Sequence, residues 1–236
     1  MKILAVDTST LCLSLAVADE NKIVCEYNKR LKKPDHCRYL IPGIKDMLEK
    51  EGLKLRDMNA FCAGLGPGSF TGLRVGLAAL KGLSMVLGKR LIGISSLDAI
   101  VHNIKRKERL VVCIQDARKG KVYSCLYHKN GSLERLTDYL LLEFKELVEL
   151  VKKVNKKRGK KVLFTASGVE IFKDDILKVF PEAEFSVKRS WYPRASNLVK
   201  EAAVILKNSK CPKISADIEP LYLHSQYANI TRPKKL

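Results

Sequence analysis

The residues best suited to chemistry near the start of the chain are Asp7, Thr8 and Ser9, which lie between two short apolar runs. A carboxylate and two hydroxyls at the tip of a strand-turn-strand unit can hold the magnesium-bound phosphate of a nucleotide. The same residue types also form capped turns, in which Asp and Ser side chains accept hydrogen bonds from nearby backbone N–H groups. From this segment alone, both interpretations stay open.

A second candidate is the glycine-rich stretch GLGPGSFTGLRVG at residues 64–76. Its glycines permit close backbone approach, and Ser69 and Thr71 can cap a following helix whose N-terminus could bind an anion. The stretch is not a P-loop, because no Lys-Ser or Lys-Thr follows the glycines at the required spacing. It also lacks the GxSxG pattern of a hydrolase, so a structural turn is favoured over an anion site or a nucleophilic serine.

Histidine and cysteine spacing gives no indication of metal or redox chemistry. No HxxxH pair and no CxxC pair occurs among the four histidines and seven cysteines. We therefore predict no catalytic residue, no metal site and no disulfide framework. The histidines are His36, His102, His128 and His224.

The charge of the chain is strongly positive, with 44 Lys and Arg against 25 Asp and Glu and a net charge of +19. Such a charge favours polyanions, and RNA is the natural candidate, although Lys-rich solvated surfaces are also common. The basic residues cluster at residues 29–33, 105–109, 152–161 and 232–235. No aromatic residues interleave with these runs, so a base-stacking groove is not predicted.

Hydrophobic periodicity predicts strands at residues 3–6, 13–18, 23–27 and 60–65, with helices at 36–50 and 73–87. The second helix is apolar or small nearly all round, so it needs cover on most sides. After Gly93 the chain is poor in glycine, and strands alternate with helices, which predicts an α/β lobe with a mixed sheet. We place the N-terminal lobe at residues 1–98 and the C-terminal lobe at residues 99–236.

No apolar stretch approaches the roughly 18 residues that a membrane span needs, and the first residues do not resemble a signal peptide. A cytoplasmic location without membrane association is therefore expected.

Six segments, in order, resemble the TsaB family, also called YeaZ, whose members are related to the actin-like ATPases. They are ILAVDTST at 3–10, HCRYLIP at 36–42, the stretch at 64–76, QDARKGKVY at 115–123, YPRA at 192–195 and EPLYL at 219–223. The resemblance implies an α/β, actin-like ATPase (ASKHA) fold with two related lobes, each a mixed β-sheet flanked by helices. One departure is that Cys37 and Arg38 stand where the family carries a Ser-Glu pair.

The resemblance also implies a non-catalytic subunit that dimerises with and activates TsaD, beside the small ATPase TsaE. TsaD transfers threonylcarbamoyl to N6 of adenosine 37 in tRNA, forming t6A. The helices at 36–50 and 73–87 would pack against counterparts in TsaD, and a homodimer is a further partner state. Residues expected at that interface are His36, Leu40, Ile44, Met47, Arg74, Gly76, Ala79 and Gly82.

On the same resemblance, Asp7, Thr8 and Ser9 form a degenerate nucleotide loop, since the second half of the chain offers only Ser167-Gly168 as a candidate adenosine clamp. No cofactor is expected on the chain alone, and ATP is expected only at a subunit interface. Two alternatives stay open: a stand-alone ATPase of the sugar-kinase type acting through Asp7 and residues 66–71, and a stand-alone basic RNA-binding protein.

Overall fold

The computed structural model of the protein describes residues 1–20, 22–106, 109–130, 132–208 and 217–223. The chain forms two compact units, of which the first contains Met1–Ala99 and the segment beginning at Pro193. The second contains Ile100–Tyr192. His224 and the basic run at residues 232–235 lie outside the described residues.

The elements follow one another in an α/β order that confirms the predicted fold class. The strands are β1 (Lys2–Asp7), β2 (Cys12–Asp19), β3 (Lys22–Arg30), β4 (Ala60–Gly64), β5 (Arg90–Ile94), β6 (Arg109–Asp116), β7 (Lys121–Asn130), β8 (Ser132–Arg135), β9 (Leu140–Glu143), β10 (Lys161–Thr165) and β11 (Glu184–Phe185). The helices are α1 (His36–Lys50), α2 (Phe70–Leu87), α3 (Ser96–Val101), α4 (Phe144–Arg158), α5 (Gly168–Val179) and α6 (Ala195–Asn208).

The first unit is built on a five-stranded mixed sheet in the order β3-β2-β1-β4-β5. Strands β1 to β3 form an antiparallel meander, whereas β4 and β5 run parallel to β1. Helices α1 and α2 cover one face of this sheet, and α6 covers the other. Because both faces are covered, β1, β2 and β4 are nearly continuous apolar runs.

The placement of α6 corrects the predicted lobe boundary, since residues 99–236 do not all belong to the second unit. Helix α6 packs on β1, β2, β4 and β5 of the first unit, where Leu198 and Val199 are buried. The physical reason is that this sheet face carries small side chains such as Ala5, Ala16 and Cys62, which admit a closely packed helix. The Ala195 N–H also donates to Ser14 Oγ at 2.7 Å.

The second unit contains a six-stranded sheet whose main order is β11-β10-β6-β7-β8, with β9 also paired to β7. Strands β6, β10 and β11 are parallel neighbours, and β6 is antiparallel to β7. Helices α4 and α5 contribute Leu147, Val151 and Ile176 to a core shared with the sheet.

Helix α2 also corrects the expectation about apolar length. In the part of the chain that the structure describes, α2 is long and apolar enough, by length and composition alone, to cross a membrane. A third of this helix is buried. Core helices of soluble proteins pass the same test, so this is weak evidence of a membrane span. Most large apolar side chains of α2 pack on the core of the first unit, whereas Ala78, Met85 and Val86 are exposed.

Candidate functional site

The β-sheet of the first unit brings Asp7 beside the glycine-rich loop. Strands β1 and β4 are parallel neighbours with Val6 opposite Ala63, so their C-terminal ends lie at the same sheet edge. A Cβ atom added to Gly64 would stand 2.0 Å from Asp7 Oδ2. Only glycine at position 64 allows the Asp7 carboxylate to occupy this position.

The Asp7 carboxylate is fully buried and is bound by hydroxyls of its own chain. Its Oδ1 accepts hydrogen bonds from the Ser9 N–H at 2.9 Å and from the Ser9 hydroxyl at 2.6 Å. Its Oδ2 accepts one from the Ser96 hydroxyl at 2.6 Å. Ser96, at the start of α3, escaped the sequence analysis because it lies 89 residues from Asp7.

The turn that carries Thr8 and Ser9 is closed against the start of α2. The Ser69 N–H donates to the Ser9 carbonyl at 2.7 Å, and the Thr8 hydroxyl donates to the Gly72 carbonyl at 2.7 Å. Ser69 caps α2, because its Oγ accepts from the Gly72 N–H at 3.2 Å. Thus Asp7, Thr8 and Ser9 form hydrogen bonds within the chain: the Asp7 carboxylate caps the turn through the Ser9 N–H, and Thr8 binds the backbone at the start of α2.

Burial raises the pKa of the Asp7 carboxyl above its ordinary value of 3.8, and the Ser9 and Ser96 hydrogen bonds and the nearby His36 oppose that shift. A carboxyl with a raised folded-state pKa binds its proton more tightly in the folded chain than in the unfolded chain. Its contribution to stability is therefore present at low pH and is lost as pH rises from 3.8 through the raised pKa.

The variant Asp7→Asn cannot ionise, so we expect its free energy of unfolding to rise relative to the natural chain across that pH range. Urea unfolding of both proteins at several pH values from 4 to 8 measures the difference. A difference that stays constant with pH would contradict a raised pKa at this carboxyl.

Four of the expected interface residues lie in the core of the first unit. Leu40, Ile44 and Met47 of α1 are buried against the sheet, and His36 is buried with its Nε2 at 2.8 Å from the Thr10 carbonyl oxygen. The expectation that these side chains face a partner is therefore wrong. Their stripe is the most apolar surface of α1, and the sheet beneath it needs that cover.

The expected residues of α2 divide between its two faces. Gly76 is buried, and an added Cβ would stand 2.3 Å from Thr8 Oγ1, so this glycine serves packing within the chain. Ala79 is partly buried against the same core. Arg74 is exposed, with its guanidinium carbon 3.8 Å from the centre of the Phe70 ring, and Gly82 is exposed with open space above it.

The outward surface of the two packed helices carries five exposed small or apolar residues, of which only Gly82 was expected at the interface from the sequence. We call it the outer α1–α2 face and define it by Ile41, Ala78, Gly82, Met85 and Val86. Ile41 is 53% exposed, Met85 68% and Val86 85%. The signal that could have found these residues is that they are apolar but fall outside the stripe that covers the sheet.

The comparisons with known proteins agree on a family. Residues 30–231 match the family model described as TsaD: tRNA N6-adenosine threonylcarbamoyltransferase. The tRNA threonylcarbamoyladenosine biosynthesis protein TsaB of Bacillus subtilis (strain 168) is 31% identical, over 86% of this chain and 90% of that protein. The TsaB of Escherichia coli (strain K12) is 35% identical, over 55% of this chain and 56% of its own length.

Solved structures support the fold independently. YeaZ from Pseudomonas aeruginosa superposes with a TM-score of 0.74 and 21% identity, over 94% of this chain and 99% of that one. An uncharacterized protein described as similar to peptidase YEAZ from Pseudomonas aeruginosa reaches a TM-score of 0.77, also at 21% identity and with the same coverage. Together with the Bacillus relative, which matches nearly end to end, these similarities show that the chain belongs to the TsaB (YeaZ) family, with the two-unit α/β fold of YeaZ and a role in t6A biosynthesis.

Proposed function

We propose that this chain is a non-catalytic subunit that dimerises with TsaD and activates it for threonylcarbamoyl transfer to N6 of adenosine 37 in tRNA. The observation that carries the proposal is the outer α1–α2 face, which is apolar and exposed in the chain alone. Large apolar side chains exposed on the surface of a folded chain, such as Ile41, Met85 and Val86, are typical of sites where proteins associate. A second protein with a matching pair of helices would cover it.

The side chains of the outer α1–α2 face suit helix-to-helix packing. Ala78 and Gly82 are one turn apart and small, so a partner helix can approach α2 closely there. Met85 and Val86 project at the C-terminal end of the same helix and can fill grooves on the partner. Arg38 and Cys37 are exposed on α1 next to this surface, so a partner matched to this chain would present acidic groups near Arg38.

The proposal that this chain performs no chemistry itself rests on the Asp7 cluster. A carboxylate that receives three hydrogen bonds from its own chain, behind a closed turn, would have to give them up to bind a metal-phosphate group. We accordingly expect nucleotide to lodge only where a partner subunit completes a site, and TsaE to join the assembled pair. The same outer face could pair two copies of this chain when TsaD is absent.

The test is threonylcarbamoyl incorporation into tRNA by purified TsaC, TsaD and TsaE from the same organism, with and without this chain. TsaC supplies threonylcarbamoyl-adenylate. We expect product only when the chain is present, and no product when TsaD is replaced by the chain. Equal product with and without the chain would rule out an activating role, and tight ATP binding by the isolated chain would favour the stand-alone ATPase.

A further inference from the structure

Two basic runs that are distant in sequence lie together at one end of the second unit's sheet, where strands β6 and β10 begin. The N-terminal ends of parallel strands β6 and β10 pair with Arg109 opposite Lys161. Helix α4 ends at Arg158, and Gly159 with a φ of 58° turns the chain directly into β10. The end of α4 and the starts of both strands therefore form one surface. We call it the α4–β10 surface and define it by its exposed cations, Lys105, Arg106, Lys153, Lys156, Lys157 and Lys161.

Three carboxylates in this region, Glu184, Glu149 and Glu134, already have cationic partners. Glu184 is bound by Arg106 and by Arg109, the latter at 3.2 Å. Glu149 lies 2.9 Å from Lys152, and Glu134 lies 3.6 Å from Arg158.

Lysines therefore remain in excess on the α4–β10 surface. In the described part of the chain, Lys153, Lys156, Lys157 and Lys161 form no ion pair with a carboxylate. Clustered like charges repel one another and raise the local positive potential. An anionic partner with closely spaced charges would relieve that repulsion.

The distribution of side chains around α4 favours an RNA backbone over a membrane as the anionic partner. Lys153, Lys156 and Lys157 share the solvent face of the helix, whereas Leu147 and Val151 on the other face are buried in the core. A helix that binds a bilayer surface needs a free apolar face to insert, and α4 has none to offer. No aromatic side chains interleave with these lysines for base stacking, so the contacts would be to phosphates.

We propose that the α4–β10 surface binds the phosphate backbone of RNA and holds the tRNA substrate against the assembled complex. The second clause rests on the proposed function. Binding through phosphates carries no sequence information, so this surface contributes affinity equally to tRNAs with different anticodons. Recognition of adenosine 37 is left to the rest of the complex.

The test compares two triple variants that each remove three positive charges. One is Lys156→Gln, Lys157→Gln and Lys161→Gln, on the α4–β10 surface. The matched control is Arg118→Gln, Lys119→Gln and Lys121→Gln, which are exposed in the turn between β6 and β7 and at the first residue of β7. That turn lies at the opposite end of β6, about 25 Å away for an eight-residue strand.

Fluorescence anisotropy of labelled tRNA with the assembled complex is measured from 50 to 300 mM salt. For the α4–β10 variant, we expect the Kd to rise about tenfold and the slope of log K against log salt to become shallower by about 2 to 3, as expected when three phosphate contacts are lost. The control variant should keep the natural slope. Thermal unfolding of both variants establishes that each is folded.

Three results would overturn the proposal: no change in either variant, an equal loss in both, or loss of binding to phosphatidylserine vesicles with tRNA binding intact. Co-elution with TsaD on the same samples separates this proposal from the proposed function. If the natural chain does not assemble with TsaD, the proposed function fails. The two variants are then compared for RNA binding by the chain alone, which still decides the role of the surface.

Discussion

Ala78→Arg in the outer α1–α2 face is expected to weaken association with TsaD by at least 100-fold. Ala78 is exposed one turn before Gly82, where a partner helix would make its closest approach. A long charged side chain placed there would prevent close packing or bury an unpaired charge, which costs about 3 kcal/mol at the centre of an interface. Binding is measured by titrating labelled TsaD, and t6A formation at low protein concentration should fall with it.

The folding of this variant should be unchanged, since Ala78 is exposed and arginine is nearly as good a helix former as alanine. Ala78→Glu should cause a similar loss, because the steric effect does not depend on the sign of the charge. The matched control is Ile171→Arg on α5, which places the same residue at an exposed apolar position of the second unit. If Ala78→Arg binds TsaD as tightly as the control does, the interface lies elsewhere on the chain.

Local periodicity was enough to predict most elements of the first unit. The apolar stripe of α1 and the strand before the glycine-rich loop are encoded by residues close together in sequence, and both are found where expected. The start of α2 is likewise local, since Ser69 caps the helix through a residue three positions away. Family resemblance then supplied the two-lobed α/β fold.

Features that depend on distant residues could not be predicted. The Ser96 hydroxyl reaches Asp7 across 89 residues, and α6 returns to a sheet that begins at Lys2. The stripe of α1 was assigned to a partner because a sequence shows that a face is apolar but not which surface covers it. The same ambiguity applies to small residues, which can serve close packing either within the chain or against another protein.

Two glycines of α2 illustrate these two roles, close packing within the chain and exposure to a partner. An added Cβ at Gly72 would stand 2.2 Å from the Thr8 carbonyl oxygen, which is a backbone atom and cannot move away as a side-chain tip can. An added Cβ at Gly82 would meet nothing within 4 Å. Both glycines lie in the same helix, so the same substitution tests packing inside the chain at one position and free surface at the other.

Gly72→Ala is expected to lower the free energy of unfolding by about 3 kcal/mol, because the start of α2 must move away from the turn that carries Thr8 and Ser9. Gly82→Ala should instead raise it by up to about 1 kcal/mol, since alanine is the better residue in an exposed helix interior. Urea unfolding of both variants measures the two changes.

Equal stability of the two variants would mean that α2 does not pack tightly against the turn that carries Thr8 and Ser9. Thr8 and Ser9 would then be available to a phosphate, and the stand-alone ATPase would regain support. A large decrease in the free energy of unfolding for Gly72→Ala alone would mean that the packing of α2 keeps this turn closed. Opening it for a nucleotide would then cost a comparable free energy, which a partner subunit would have to supply.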